Sequence, residues 1–98
     1  MRVDPETLIL RTLLDGEAYA QQIIDAIHER SAGELSICMG TIQPTLARMY
    51  DEGLLSRAER DPDDSEPHSG RRRMYYQLAE KGRVRTIRNE IVLLRLLS

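Results

Sequence analysis

The 98-residue sequence predicts a mostly α-helical domain that contains one two-stranded β-hairpin. Apolar residues recur at helical spacing in three segments before residue 53, and again from about residue 80. Residues 54–60 and 72–78 are short and extended in pattern, and they flank a stretch rich in proline and acidic residues. A chain of this length forms one domain with a thin stability margin, so help from a partner subunit is expected.

The first two helices have clear boundaries in the sequence. Asp4 is a good N-cap, Pro5 is favoured as a first helical residue, and Gly16 ends the run. The second helix is expected to begin near Glu17 or Ala18 and to end before Gly33. Each carries one apolar stripe, formed by Ile9, Leu10, Leu13 and Leu14 in the first helix and by Ala20, Ile23, Ile24 and Ile27 in the second.

The third helix contains a proline. Its apolar residues Ile42, Leu46 and Met49 share one face, and it is expected to end at Gly53. Pro44 has no N–H to donate and disfavours helical dihedral angles in the residue before it. If Thr41 is the N-cap, Pro44 falls in the first turn, where proline is tolerated; if Ser36 is the N-cap, Pro44 kinks the helix. The sequence leaves both alternatives open.

The hairpin and the last helix follow. In the second strand, Arg72, Met74, Tyr76 and Leu78 are expected on one face and Arg73, Tyr75 and Gln77 on the other. The final two turns of the last helix are apolar nearly all round, and a small single domain cannot cover such a helix. We therefore predict a homodimer built on this helix packed with the first; the alternative is a frayed tail or a second face of the same core. The predicted interface residues are Leu10, Leu14, Val84, Ile87, Ile91, Leu94 and Leu97.

Three helices, a hairpin and a further helix are the element order of a winged helix-turn-helix. In that fold the third helix enters the DNA major groove, and the hairpin lies along the backbone or the minor groove. Residues 1–78 are thus predicted to form a winged helix-turn-helix DNA-binding domain. Residues 79–98 are predicted to form a C-terminal dimerisation helix.

The charge distribution along the chain bears on this prediction. Residues 1–70 carry 6 basic and 14 acidic side chains, whereas residues 71–98 carry 8 basic and 2 acidic ones. The overall net charge of −2 is unusual for a nucleic-acid binder, but the basic charge is concentrated and almost all of it is arginine. Arginine suits phosphate and base-edge recognition better than lysine does.

Two segments, GTIQPTLARMYDEGLL and GRRRMYYQLAEKGR, resemble the hallmark segments of the PadR family of bacterial transcriptional regulators. The segment AYAQQI at 18–23 similarly resembles that family's start of helix two. The resemblance implies a proline early in the recognition helix and, in some members, a small-molecule inducer; nothing in this chain identifies an inducer. Gln43 and Ala79 depart from the family pattern, which has tyrosine and a capping threonine there.

The predicted DNA-reading surface is the face of the third helix opposite its apolar stripe. Small residues let the backbone approach base edges, glutamine reads adenine, and arginine bonds guanine or a phosphate. The residues predicted there are Gly40, Thr41, Gln43, Pro44, Thr45 and Arg48. The alternative is an ordinary solvated helix face.

Further DNA contacts are predicted outside the third helix. At the base of the wing, phosphate or minor-groove contacts are predicted for Arg71, Arg72 and Arg73, unless they form only a charged edge strand. The resemblance implies phosphate contacts by Tyr19 and Gln21, and a packing role is the alternative for Tyr19.

The leading interpretation is a homodimeric, sequence-specific DNA-binding transcriptional regulator. It would act as a repressor on an inverted repeat whose half-sites are about one helical turn apart. The alternative is a winged-helix protein-interaction module, an adaptor or antagonist that does not bind DNA. The overall acidity motivates this alternative, as do the acidic residues of the wing tip, Asp61, Asp63, Asp64 and Glu66.

An enzyme is not expected, and neither is a metal or a cofactor. Cys38, His28 and His68 are too few and too scattered for a zinc site or a catalytic triad. Cys38 near a helix N-terminus is a candidate oxidant sensor, although a small semi-buried residue is the commoner role. Since no stretch approaches the run of about 20 apolar residues that a membrane span requires, a cytoplasmic protein is expected.

Overall fold

A computed structural model describes residues 4–60 and 72–97 of the chain. The described part contains four helices and one antiparallel sheet in which β3 lies between β1 and β2. The elements are α1 (Pro5–Leu13), β1 (Ala18–Tyr19), α2 (Ala20–Arg30), α3 (Met39–Asp51), β2 (Leu55–Arg60), β3 (Arg73–Leu78) and α4 (Glu80–Leu97). The predicted class, a mostly helical winged helix-turn-helix, is confirmed.

The predicted two-stranded hairpin is present as β2 and β3, and a third strand that the sequence did not predict, β1, joins it. Ala18 pairs with Tyr76 and Tyr19 pairs with Tyr75, so β1 covers the free edge of β3. The second helix consequently begins at Ala20 and not at Glu17 or Ala18. Tyr19 is its N-cap, and the Tyr19 N–H donates to the Gln22 Oε1 at 3.1 Å.

The core lies between the first three helices and the inner face of the sheet. The predicted stripe of α3 is fully buried, with Ile42, Leu46 and Met49 all 0 % exposed. In β3 the predicted alternation is present, because Tyr76 and Leu78 are buried and Gln77 is exposed. In the described part of the chain, the other fully buried large side chains are Ile9, Leu10, Ile23 and Leu54.

The start of α3 differs from both alternatives left open by the sequence. Its N-cap is Cys38, whose carbonyl accepts the N–H groups of Thr41 and Ile42, each at 3.0 Å. Thr41 and Ser36 were therefore both wrong as caps, since Thr41 already lies inside the first turn. Pro44 lies within the helix, and the carbonyl of Gly40 consequently lacks the N–H that an ordinary residue at position 44 would donate.

The backbone that follows α3 contacts the start of α4. Gly53 has a φ of +80°, and the N–H of Leu54 donates back to the Met49 carbonyl at 3.0 Å, a left-handed helix end that glycine favours. The carbonyl of Leu54 then accepts the N–H of Ala79 at 3.0 Å. A Cβ at Gly82 would lie 2.2 Å from that same Leu54 oxygen. The first turn of α4 therefore rests directly on the backbone at the end of α3.

Among the described residues, those outside α4 cover only the first part of this helix. Gly82 and Thr86 are buried, and Arg11 Nε of α1 pairs with Glu90 Oε1 of α4 at 3.2 Å. Its large apolar side chains are all at least 45 % exposed, and they are Val84, Ile87, Ile91, Val92, Leu93, Leu94, Leu96 and Leu97. No helix within residues 4–60 and 72–97 combines the length and apolar character needed to cross a bilayer.

Two residues of α1 and the loop after it were predicted to share in a dimer interface. Leu10 is only 1 % exposed and belongs to the core of the single chain, so its side chain has no area to offer a partner. Leu14 is partly buried against the same core. The predicted interface residues that remain exposed all lie on α4.

Candidate nucleic-acid interface

A cleft of about 350 Å³ lies where α2, α3 and the base of the wing meet. The start of α2, the first turns of α3 and the start of β3 all contribute to it, through Tyr19, Ala20, Gln21, Met39, Gln43, Arg72, Arg73, Met74 and Tyr76. Five predicted DNA contacts therefore line one cleft: Tyr19, Gln21, Gln43, Arg72 and Arg73. Arg71 lies outside the described residues.

Two tyrosine rings and two arginines pack together on the side of the cleft that the sheet forms. The rings of Tyr19 and Tyr75 meet edge to face, with centroids 5.4 Å apart. The Cζ of Arg73 lies 4.4 Å from the centroid of the Tyr19 ring, and the Cζ of Arg60 lies 5.2 Å from that of Tyr75. Arg60 is also paired with Glu17. The cation–π contact with Tyr19 holds the Arg73 guanidinium at the cleft.

The outer face of α3 carries small side chains near its N-terminus. The exposed residues of this face are Gly40, Thr41, Gln43 and Pro44. A Cβ at Gly40 would meet only the Cys38 Sγ, at 4.0 Å. Thr45 was predicted to contact DNA, but its hydroxyl donates to the Thr41 carbonyl of the same helix at 2.7 Å. The backbone of this turn can consequently approach another surface closely.

Side-chain amides at the cleft already have partners along their own helices. Gln43 Nε2 donates to the Met39 Sδ at 3.4 Å, a weak acceptor. Gln21 Nε2 donates to the Asp25 Oδ1 at 2.9 Å. The sequence prediction missed Met39, because an apolar residue at the start of a helix gives no local sign of whether it is buried. In the structure it is 40 % exposed.

Arg48 does not line the cleft, although it was predicted to share the reading face. Its Nη1 lies 3.1 Å from the Glu6 Oε1 and 2.9 Å from the Glu52 Oε2. Hydrogen bonds to Glu6 and then Glu52 raise the pKa of the Arg48 guanidinium above its usual value. Glu6 is also paired with Arg85 of α4 at 3.4 Å. Two carboxylates therefore offset the charge of Arg48.

The Cys38 thiol is exposed, so the expectation of a semi-buried residue was wrong. Its Sγ lies 3.4 Å from the Thr41 Oγ1, and this hydrogen bond is the main cause that lowers the pKa of Cys38. No group of His, Cys, Asp and Glu side chains suited to a metal ion occurs in the part of the chain that the structure describes.

A family model described as the transcriptional regulator PadR-like family matches residues 9–88, which is most of the chain. The chain belongs to the PadR family. The PadR-like resemblance of the two hallmark segments is thereby confirmed, and so is the assignment to a family of transcriptional regulators. No curated protein is similar enough in sequence to match the chain.

Solved structures of PadR proteins have the same fold. A PadR-like transcription factor from Bacteroides fragilis is 30 % identical with a TM-score of 0.77, and the match covers 93 % of this chain and 81 % of that one. A PadR family regulator from Clostridium difficile R20291 is 22 % identical with a TM-score of 0.70, covering 96 % and 98 %. Bacillus subtilis PadR in complex with operator DNA is 21 % identical with a TM-score of 0.75; the match covers 88 % of this chain but only 46 % of that longer one.

Proposed function

We propose that this PadR-family chain is a sequence-specific DNA-binding regulator that acts as a homodimeric repressor on an inverted-repeat operator. The observation that carries the proposal is the cleft that brings together the start of α2, the start of α3, and Arg72 and Arg73 at the start of β3. The similarity to a PadR protein in complex with operator DNA supports it.

The first turns of α3 are the part that enters the major groove. Gly40 and Pro44 present little side chain there, so the backbone can approach base edges, and Gln43 has the donor and acceptor that adenine requires. In the same cleft, Arg72 and Arg73 lie beside the N-terminal turn of α2, where backbone N–H groups lack intrahelical partners. Phosphates on both sides of the groove are the ligands that suit this arrangement.

The exposed apolar side chains of α4 support the homodimer. An apolar surface of this extent is unusual on a monomer and is commonly an interface. Residues 79–98 would thus form the dimerisation helix, with Val84, Ile87, Ile91, Leu94 and Leu97 against a second copy. Pairing through α4 presents α3 twice, and half-sites about 34 Å apart would match one turn of B-DNA.

Binding to DNA selected from a random pool or from the protein's own upstream region is the test. For the triple change Arg71/Arg72/Arg73→Ala, we expect weaker binding and a shallower dependence of log affinity on log salt concentration. Each lost phosphate contact should reduce that slope by about 0.9. Fluorescence anisotropy at several salt concentrations gives both quantities.

The matched control is Arg30→Ala, which removes one arginine from the C-terminal end of α2, away from the cleft. It should leave the slope unchanged. Triple-variant binding with the same affinity and salt dependence as wild type would contradict the assignment of these arginines.

Opposite effects are expected from the two members of the Arg48–Glu52 pair. Arg48→Ala should weaken DNA binding about threefold, and Glu52→Gln should strengthen it by a similar factor, because this change releases Arg48 from one of its two carboxylates. Anisotropy titrations at low salt measure both. If both variants bind like wild type, Arg48 has only a structural role.

The second candidate function is a winged-helix interaction module that does not bind DNA. The neutralisation of Arg48 by Glu6 and Glu52, together with the acidity of residues 1–70, favours it. Failure to select any DNA sequence, combined with capture of one reproducible protein partner, would support this function over the first.

A further inference from the structure

Met39 is an exposed apolar residue on the part of α3 that we assign to the major groove. Its side chain is 40 % exposed, whereas Met49 is fully buried and Met74 packs against the core. It is the first residue of α3 and lines the cleft one helical turn before Gln43. Within the described residues, Met39 belongs neither to the hydrophobic core nor to the partly buried apolar side chains that pack against it.

The two side chains form a unit. The Gln43 Nε2 donates to the Met39 Sδ at 3.4 Å, which holds the carboxamide beside the thioether. A thioether sulfur is a weak acceptor, so the carboxamide loses little when it turns to a better partner. An unbranched, polarisable side chain such as methionine also adapts its shape to the surface that it covers.

The major groove offers one apolar group at the base edges, the 5-methyl group of thymine. A glutamine side chain meets adenine at N6 and N7 with two hydrogen bonds. An exposed methionine in contact with an exposed glutamine therefore matches the two chemical features that distinguish A·T pairs. A G·C pair has neither the methyl group nor the adenine pattern.

We propose that Met39 is a specificity-determining residue that covers the 5-methyl group of a thymine beside the adenine read by Gln43. The inference rests on the proposed function, since it requires that α3 enter the major groove. It adds a residue and a base preference that the family pattern does not provide, because Gln43 stands where that pattern has tyrosine.

Thymine-to-uracil replacement tests the proposal, since it removes only the methyl group. Each thymine of a DNA duplex selected by the wild-type protein is replaced in turn, and affinity is measured by competition. For wild type we expect one position per half-site at which uracil weakens binding about fourfold, the effect of one buried methyl group. For Met39→Ala the same replacement should have no effect.

Met39→Leu is the matched control, because leucine keeps the apolar contact and loses the sulfur. It should retain the sensitivity to uracil at the same position. Replacing the adjacent adenine by 7-deazaadenine should weaken wild type and Met39→Leu about fivefold, through loss of one of two hydrogen bonds, and should not affect Gln43→Ala.

Each outcome decides the proposal. A uracil effect that persists in Met39→Ala would overturn it, as would the absence of any sensitive thymine. Loss of affinity in Met39→Ala by the same factor for all sequences would also overturn it, because that result indicates contact with the sugar-phosphate backbone. If no DNA is selected at all, the proposed function fails first, and the two failures are thereby distinguished.

Discussion

Ile91→Glu is expected to make the protein monomeric and to weaken its binding to an inverted-repeat operator at least a hundredfold. Ile91 lies on the open stripe of α4 and is 45 % exposed in the single chain. In a dimer built on this stripe, the carboxylate would be buried without a partner, which is strongly unfavourable. Loss of the second half-site removes the gain from bivalent binding, typically a factor of 10² or more.

Sedimentation velocity and operator anisotropy measure the two effects. The single chain should stay folded, because Ile91 does not belong to its core, and far-UV circular dichroism at low temperature checks this. Ile91→Leu is the matched control, since it keeps an apolar side chain at the same place and should remain dimeric. A wild-type protein that sediments as a monomer at micromolar concentration would remove the basis of this prediction.

Gly82→Ala is expected to destabilise the protein, although alanine normally stabilises a helix relative to glycine by about 1 kcal/mol. The new Cβ would lie 2.2 Å from the oxygen and 3.2 Å from the carbon of the Leu54 carbonyl, so α4 must shift. Because backbone atoms cannot give way as side-chain ends do, we expect a net loss of about 2 kcal/mol, within the usual range for overpacking. For a domain of this size that corresponds to a fall in Tm of about 10 °C.

Thermal unfolding at a fixed protein concentration measures this loss, since the Tm of a dimer depends on concentration. Gly40→Ala supplies the control, because a Cβ at Gly40 meets nothing closer than 4.0 Å. That variant should be as stable as wild type or more so. A Gly82→Ala protein with an unchanged or higher Tm would contradict the close approach of α4 to the Leu54 backbone.

The helices could be predicted because their signals are local. The apolar stripe of Ile42, Leu46 and Met49 repeats at helical spacing, and Gly53 ends the helix in a left-handed conformation that the sequence already indicated. Such patterns involve residues close in the chain, which any window of the sequence contains. The start of α3 was missed because Cys38 caps it only through its backbone carbonyl, and its thiol is not a usual capping group.

Features that depend on distant residues could not be read in the same way. The strand β1 has two residues, too few to show alternation, and it exists because β3 offers an open edge. Arg48 and Glu6 are separated by 42 positions, so the sequence showed an arginine on a polar face but not the carboxylate beside it. For the cleft, the sequence supplied the residue types, whereas the proximity of Tyr19, Gln43 and Arg73 required the fold.

The exposed C-terminal part of α4, from Ile91 onward, also bears on how the sequence of such a protein can change during evolution. The body of the chain holds this helix at Gly82 and Thr86, whereas Ile91 and the residues after it add nothing to the core. Substitutions in that outer portion are consequently under little constraint from folding. In the proposed homodimer, changes confined to this outer portion would alter which subunits associate while the sequence of α3 stays the same.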